Sequence, residues 1–290
     1  MRGSTRFKVA RRAGVAIAGV VLLAATASGC DWPPNTRYVD PVFANVDVTT
    51  NIPYRTTTTS TGAPITLYLD IYQPRGDTAA KRPAVMWEFG GYWVSGNKSN
   101  MATFATESAR RGYVGVSIQY RLRGSTSEWY PAALDAYDDA VAAVQWLKDH
   151  AAEYRIDPNA IIAGGYSAGA VNSMNLVFMP PDRGPAETPV AGGIILAGLT
   201  FTAPRSGRPP VIMFGGTNDT TVTYATQVDN CNASKAAGNV CEFVSYPNTG
   251  HILSSAQRAD AVVKAHHFIF DNVLLKKGYV AEQIPAAAAA

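Results

Sequence analysis

Histidine and cysteine are scarce in this chain: four of one (His150, His251, His266, His267) and three of the other (Cys30, Cys231, Cys241) among 290 residues. So few and so scattered, they form no metal-ligand constellation, and an activity without metal or organic cofactor is expected. Charge of one sign is short too. Lys and Arg number 25 against 22 Asp and Glu, a formal net charge of +3, and part of the basic excess sits in the first twelve residues (Arg2, Arg6, Lys8, Arg11, Arg12). The remaining Lys and Arg are dispersed, which excludes a nucleic-acid footprint and a nucleic-acid partner. No internal repeat breaks the chain into like units. The longest apolar run, "AGVAIAGVVLLAATA", is shorter than the about 20 residues a membrane span needs.

What that run does fit is an export signal. A basic start, an apolar stretch of about 15 residues and a small-residue end ("SGC") are its three parts. Cleavage after "ATA" would leave Cys30 in the mature chain. Alternatively "ASGC" resembles a bacterial lipobox, with Cys30 lipidated and the membrane met only through that lipid or a retained anchor. Parity favours the second reading: with Cys30 lipidated, Cys231 and Cys241 are left to pair in an oxidising compartment. The expectation is an exported envelope lipoprotein or secreted protein, residues 1–30 being signal.

Residues 31–60, rich in Pro, Thr and Asn, read as a tether followed by irregular or edge-strand structure. From 61 to 280 strands and helices alternate. "ITLYLDIYQP", "PAVMWEF", "YVGVSIQY", "AIIAGG", "VAGGIILAGL", "PPVIMFGG" and "CEFVSYP" are apolar or alternating runs closed by Gly or Pro. Between them, Leu134, Tyr137, Val141, Val144, Leu147 and Ala151 recur at helical spacing, and helices are expected after Ser167, across 221–236 and from about Ser255 to Leu275. That order predicts an α/β domain, a mainly parallel twisted sheet with helices on both faces. The Ala-rich end, 281–290, reads as a flexible tail.

One hydroxyl stands out. Gly165-Tyr166-Ser167-Ala168-Gly169 is G-x-S-x-G between a predicted strand and a predicted helix, the setting of a nucleophile elbow. A serine needs a base. His150 ends a helix and His266 and His267 lie within one, whereas His251 follows a strand in "YPNTGH", where sheet enzymes present reactive groups. Asp219 in "GGTNDTTV" occupies a comparable position and is the candidate acid. The order Ser167, Asp219, His251 is the one α/β-hydrolases use. For an oxyanion, Ala168 N–H is one candidate donor and Gly91 or Tyr92 in "WEFGGYWVSG" the other. Phe89, Gly90, Trp93 and Tyr166 are weaker candidates for contact with substrate.

These segments together resemble bacterial α/β-hydrolase carboxylesterases of the hormone-sensitive-lipase-like and related secreted groups. "FGGYWVSG" takes the place of the family's H-G-G-G-W-x-x-G, with Phe89 for His and Tyr92 for the third Gly. "RRGYVGVSIQYRL" and "YPAALDAYDDAVAAVQWL" resemble its following stretches, with Gln119 for a frequent Asp. The resemblance implies an α/β-hydrolase fold and ester hydrolysis through an acyl-enzyme. Only "TFTAPRSGRPP" separates two strands where lids are often inserted, so no large lid domain is expected and the site should be open unless residues 31–60 cover it. Short-chain, aryl or polymer-side-group esters are the expected substrates. An envelope acyltransferase, a serine peptidase of the same fold and a non-catalytic binding protein remain open on sequence alone; oligomeric state is not legible.

Overall fold

The computed structural model describes residues 32–178 and 189–284. The expected signal with Cys30, and residues 285–290 of the expected tail, lie outside them. Eight strands form one sheet: β1 (Val46–Thr58), β2 (Pro64–Pro74), β3 (Arg82–Glu88), β4 (Val114–Ile118), β5 (Ile156–Tyr166), β6 (Gly192–Leu196), β7 (Val211–Gly216) and β8 (Cys241–Tyr246). Their spatial order is β1-β2-β4-β3-β5-β6-β7-β8, antiparallel through β2 and parallel from β4 onward. The helices are α1 (Ala102–Arg110), α2 (Trp129–Asp149), α3 (Ala151–Tyr154), α4 (Ala168–Phe178), α5 (Tyr224–Ala236) and α6 (Ser255–Ile269).

Period-two alternation sorts the strand residues between two cores. Val85, Trp87, Ile162, Ile194 and Phe214 face α1 and α6, whereas Ala84, Met86, Ile161, Ile195 and Met213 face α2 and α4. Both faces are covered, so β3 is buried along its whole length and reads as a continuous apolar run. The strand order also fixes where a site can form. β4 lies on one side of β3 and β5 on the other, so the loops leaving β3 and β5 part there and open a crevice at the carboxyl edge.

Three expectations change. The α2 stripe is turned toward alanine: Ala132, Ala133, Ala136, Ala140 and Ala143 are buried with Tyr137, Val144 and Leu147, while Leu134 and Val141 are only half-buried. Small side chains let α2 lie close to its neighbours, a role that hydrophobic spacing does not reveal. Residues 31–60 are largely ordered in the domain: 32–45 pack on it and β1 is a thirteen-residue edge strand. Its Thr-rich pattern hid it, because most of β1 faces solvent. The beginning of the expected tail, 281–284, is likewise held. Arg37 N–H donates to Glu282 O, Ile284 N–H to Asn35 O, and Thr36 pairs with Gln283. This seam lies by Arg111, Gly112 and Arg82, at the amino ends of β4 and β3, opposite the crevice. Residues 32–45 therefore do not cover it. No helix or strand interrupts 197–210 between β6 and β7.

Candidate active site

The elbow is built by what its neighbours lack. Ser167 sits at φ 54°, left-handed backbone that an L-residue occupies only under constraint. A Cβ on Gly165 would come within 2.3 Å of Gly169 O, and one on Gly169 within 2.1 Å of Glu88 O. The turn closes only because both lack side chains, and α4 packs directly on the end of β3. Ser167 N–H donates to Leu196 O at 2.9 Å, which ties the turn to β6.

The three expected side chains converge. His251 Nε2 lies 2.8 Å from Ser167 Oγ, and His251 Nδ1 lies 2.9 Å from Asp219 Oδ2. With Nδ1–H donating to the carboxylate, Nε2 keeps the lone pair that accepts the serine proton. Asp219 comes from the turn after β7 and its carboxylate is buried. Its Oδ1 accepts the Thr221 and Val222 N–H groups, and Oδ2 also accepts Gln227 Nε2–H at 3.0 Å. Sequence reasoning missed Gln227. The available signal was a polar residue at a buried position of α5, where it is fully enclosed.

Tyr166 has a more specific place than the weak contact role expected of it. Its hydroxyl donates to His251 O and accepts Leu253 N–H, both at 2.8 Å, clamping the loop that carries the imidazole. Gly91 (φ 129°) and Tyr92 (φ 55°) turn sharply after β3. A Cβ on Gly90 would touch Ser167 Cβ at 3.0 Å, so this loop runs beside the serine. The turn closes through Val94 and Ser95 N–H groups, both donating to Gly91 O. This loop and the first turn of α4, which begins at Ala168, thus flank Ser167.

Two expected contacts are not presented to a ligand. Phe89 is fully buried, its ring stacked on Tyr120 at 4.2 Å, and Tyr120 Oη donates to Phe89 O at 2.6 Å. Packing below the loop claims the position where the family often has His. Trp93 is 5% exposed, and its Nε1–H donates to Asn172 Oδ1 on α4 at 2.8 Å. Beside Trp93, Phe201, Trp129 and Tyr130 form an exposed aromatic cluster with ring centroids 5.3–6.5 Å apart. On the other side, a cavity of about 900 Å³ reaches between α1 and α6, with Gly90, Tyr166 and Ile252 among its walls. Two of the remaining histidines have other partners, His266 Nδ1 lying 2.7 Å from Val262 O. His150 Nδ1 and Trp146 O are 2.9 Å apart at the end of α2, and His266 is buried, which pushes its pKa down to about 3. Cys231 and Cys241 are joined in a disulfide.

Residues 69–176 match the BD-FAE family. Liver carboxylesterase 1F of Rattus norvegicus is 29% identical over 221 residues, covering 73% of this chain and 38% of that protein. The medium-chain fatty acyl-CoA hydrolase precursor of Anas platyrhynchos is 36% identical over 123 residues, covering 41% and 22%. The chain thus spans under two-fifths of the length of these curated relatives. Among solved structures, the thermophilic esterase Est2 of Thermogutta terrifontis superposes with a TM-score of 0.66 at 26% identity, covering 81% of this chain and 95% of that one. Another structure of that esterase is phosphorylated by paraoxon (TM-score 0.65, 26% identity, covering 78% and 94%). Sheet order, the turn at Ser167 and these likenesses agree: the chain has the α/β-hydrolase fold and is similar to esterases that share it.

Proposed function

We propose that the protein is a serine carboxylic-ester hydrolase working through an acyl-enzyme. One observation carries the reading: a single imidazole bridges Ser167 Oγ and a buried Asp219 carboxylate at the switch point of the sheet. His251 Nε2 takes the Ser167 proton as Oγ attacks the ester carbonyl. The oxyanion is received by Ala168 N–H and by Gly91 or Tyr92 N–H, and Asp219 supports the imidazolium. The proton passes to the leaving alkoxide, releasing the alcohol. Water then enters, gives a proton to His251, attacks the acyl carbonyl, and the acid departs as Ser167 is restored. No step calls for a cofactor.

The substrates that suit the site are short-chain, aryl or polymer-side-group esters. Support comes from a rim uncovered by residues 32–45 and from the aromatic side chains exposed beside it, Tyr92, Trp129, Tyr130 and Phe201. We place the activity outside the cytoplasm on the character of the first thirty residues alone.

Ser167→Ala tests the reading. Loss of 4-nitrophenyl acetate turnover by about 10³-fold or more is expected, together with loss of labelling by a fluorophosphonate, while circular dichroism stays that of the parent. Undiminished hydrolysis by this variant would remove the assignment.

A further inference from the structure

The cavity between α1 and α6 is mostly apolar, with Met101, Phe104 and Val262 in its walls, but it also holds three charged side chains, Glu107, Arg111 and Arg258. Two of them satisfy each other. Glu107 Oε2 accepts from Arg111 Nη1 at 2.6 Å, and Glu107 Oε1 from Arg110 Nη1 at 2.9 Å. Arg258 differs. Its Nη1 donates to Leu253 O at 2.7 Å and its Nη2 to Ser255 Oγ at 3.2 Å, both neutral acceptors. No carboxylate lies within ion-pair distance of it among the described residues. Two hydrogen bonds therefore fix the orientation of a guanidinium whose charge is left unmatched, on the first turns of the helix that follows the His251 loop.

That charge is near the chemistry. Burial raises the pKa of the Tyr166 phenol, while the Leu253 N–H and the Arg258 charge pull it down, so Arg258 acts electrostatically on the residue that clamps His251. Tyr166 and Gly90, which flank Ser167, belong to the same cavity wall. An ester bound at Ser167 with one half in this cavity extends toward Arg258 between apolar walls. A fixed guanidinium in that setting prefers a carboxylate over any neutral group of the same size.

We propose that the cavity selects esters bearing a carboxylate on the half it encloses, with Arg258 as the specificity-determining residue. The proposal rests on the esterase reading above and gives it a substrate class: half-esters of dicarboxylic acids, or acyl esters of hydroxy acids. Recognition acts on binding of the substituent, and the bond-breaking steps are those already described.

Two substrate pairs test it, each setting an ester with a terminal carboxylate against a neutral ester that lacks it. The acyl-side pair is mono-4-nitrophenyl glutarate against 4-nitrophenyl pentanoate. The alcohol-side pair is 4-acetoxyphenylacetate against 4-methylphenyl acetate. For each pair the ratio of kcat/KM, anionic over neutral, is compared between the parent enzyme and Arg258→Gln, which cancels intrinsic reactivity. The ratio of one pair should fall roughly ten- to a hundredfold, the range of a charge-assisted hydrogen bond. The change should sit mainly in KM, and Arg258→Lys should recover part of it. Unchanged ratios in both pairs would overturn the proposal. So would an equal fall for the anionic and neutral members, which would make Arg258 a support for the His251 loop instead. Failure of the parent enzyme on all four esters would instead strike the esterase reading itself.

Discussion

Glu88 ends β3 fully buried beneath α4, where Ser173 Oγ–H donates to its carboxyl group at 3.1 Å. Burial pushes its pKa from 4.5 up to about 8, the Asn172 and Ser173 side chains pulling only partly the other way. The effect on stability has a definite sign. Below about pH 4.5 the carboxyl is protonated in folded and unfolded chains alike and costs nothing. From there to about pH 8 the unfolded chain ionises first, so stability falls by at most about 1.4 kcal/mol per pH unit. Glu88→Gln should flatten that decline and raise the stability at pH 8 relative to the parent. Urea unfolding of both proteins at pH 5, 6.5 and 8 reads the difference; parallel curves would show that Glu88 does not carry it. Residues of this kind also mark the limit of what the sequence reveals about the site. Ser167, Asp219 and His251 are legible because each needs a residue type that is rare in its setting and a place after a strand. Gln227, Asn172 and Arg258 are not. Their positions depend on which helix face meets the sheet, and α4 and α5 have buried polar residues that blur the pattern.

At the scale of elements, the parallel strands are the most legible part, since apolar runs stopped by Gly or Pro leave few alternatives. The edge is not. β1 has Thr where a central strand has Val or Ile, and it is held by polar contacts made far along the chain. Arg55 Nη1–H donates to Asp139 Oδ1 at 2.6 Å, Arg121 Nε–H to Asp139 Oδ2 at 2.9 Å, and Tyr54 Oη–H to Gln119 O at 2.5 Å. Asp139 is thus a fully buried anchor joining β1, the segment after β4 and α2. Sequence pattern registers it only as a charge on the wrong face of a helix. Asp139→Ala removes the carboxylate that Arg55 and Arg121 share, leaves Arg121 only its longer pair with Asp135 at 3.4 Å, and should cost about 3 kcal/mol, measured as a lower urea midpoint. A loss below about 1 kcal/mol would mean that water replaces the carboxylate. The Cys231–Cys241 disulfide, inferred from parity, joins the middle of α5 to the start of β8. Reducing it should remove about 2–3 kcal/mol under the chain-entropy estimate for a loop of ten residues, with hydrolysis at 25 °C retained by the fraction still folded.

For the molecule as a whole, the α/β class follows from the alternation of elements, while the extent of the domain does not, because 32–45 and 281–284 meet only in three dimensions. Trp32 marks where that seam begins. Its Nε1–H donates to Asp271 Oδ1 at 2.8 Å and its ring meets Phe270 at 5.0 Å, just past the far end of α6 from His251. The fifteen residues of α6 set that separation at roughly 20 Å. If Cys30 carries a lipid, as the export proposal has it, Cys30→Ala should move the protein from the membrane pellet to the soluble fraction of disrupted cells; an unchanged pellet would count against lipidation. The position of Trp32 has a bearing on that arrangement. Whatever is tied to the chain just upstream of it pulls on the base of the sheet, so a surface holding the protein there faces its back. The catalytic mouth is then turned outward, where a substrate too large to slip between enzyme and anchorage still finds it.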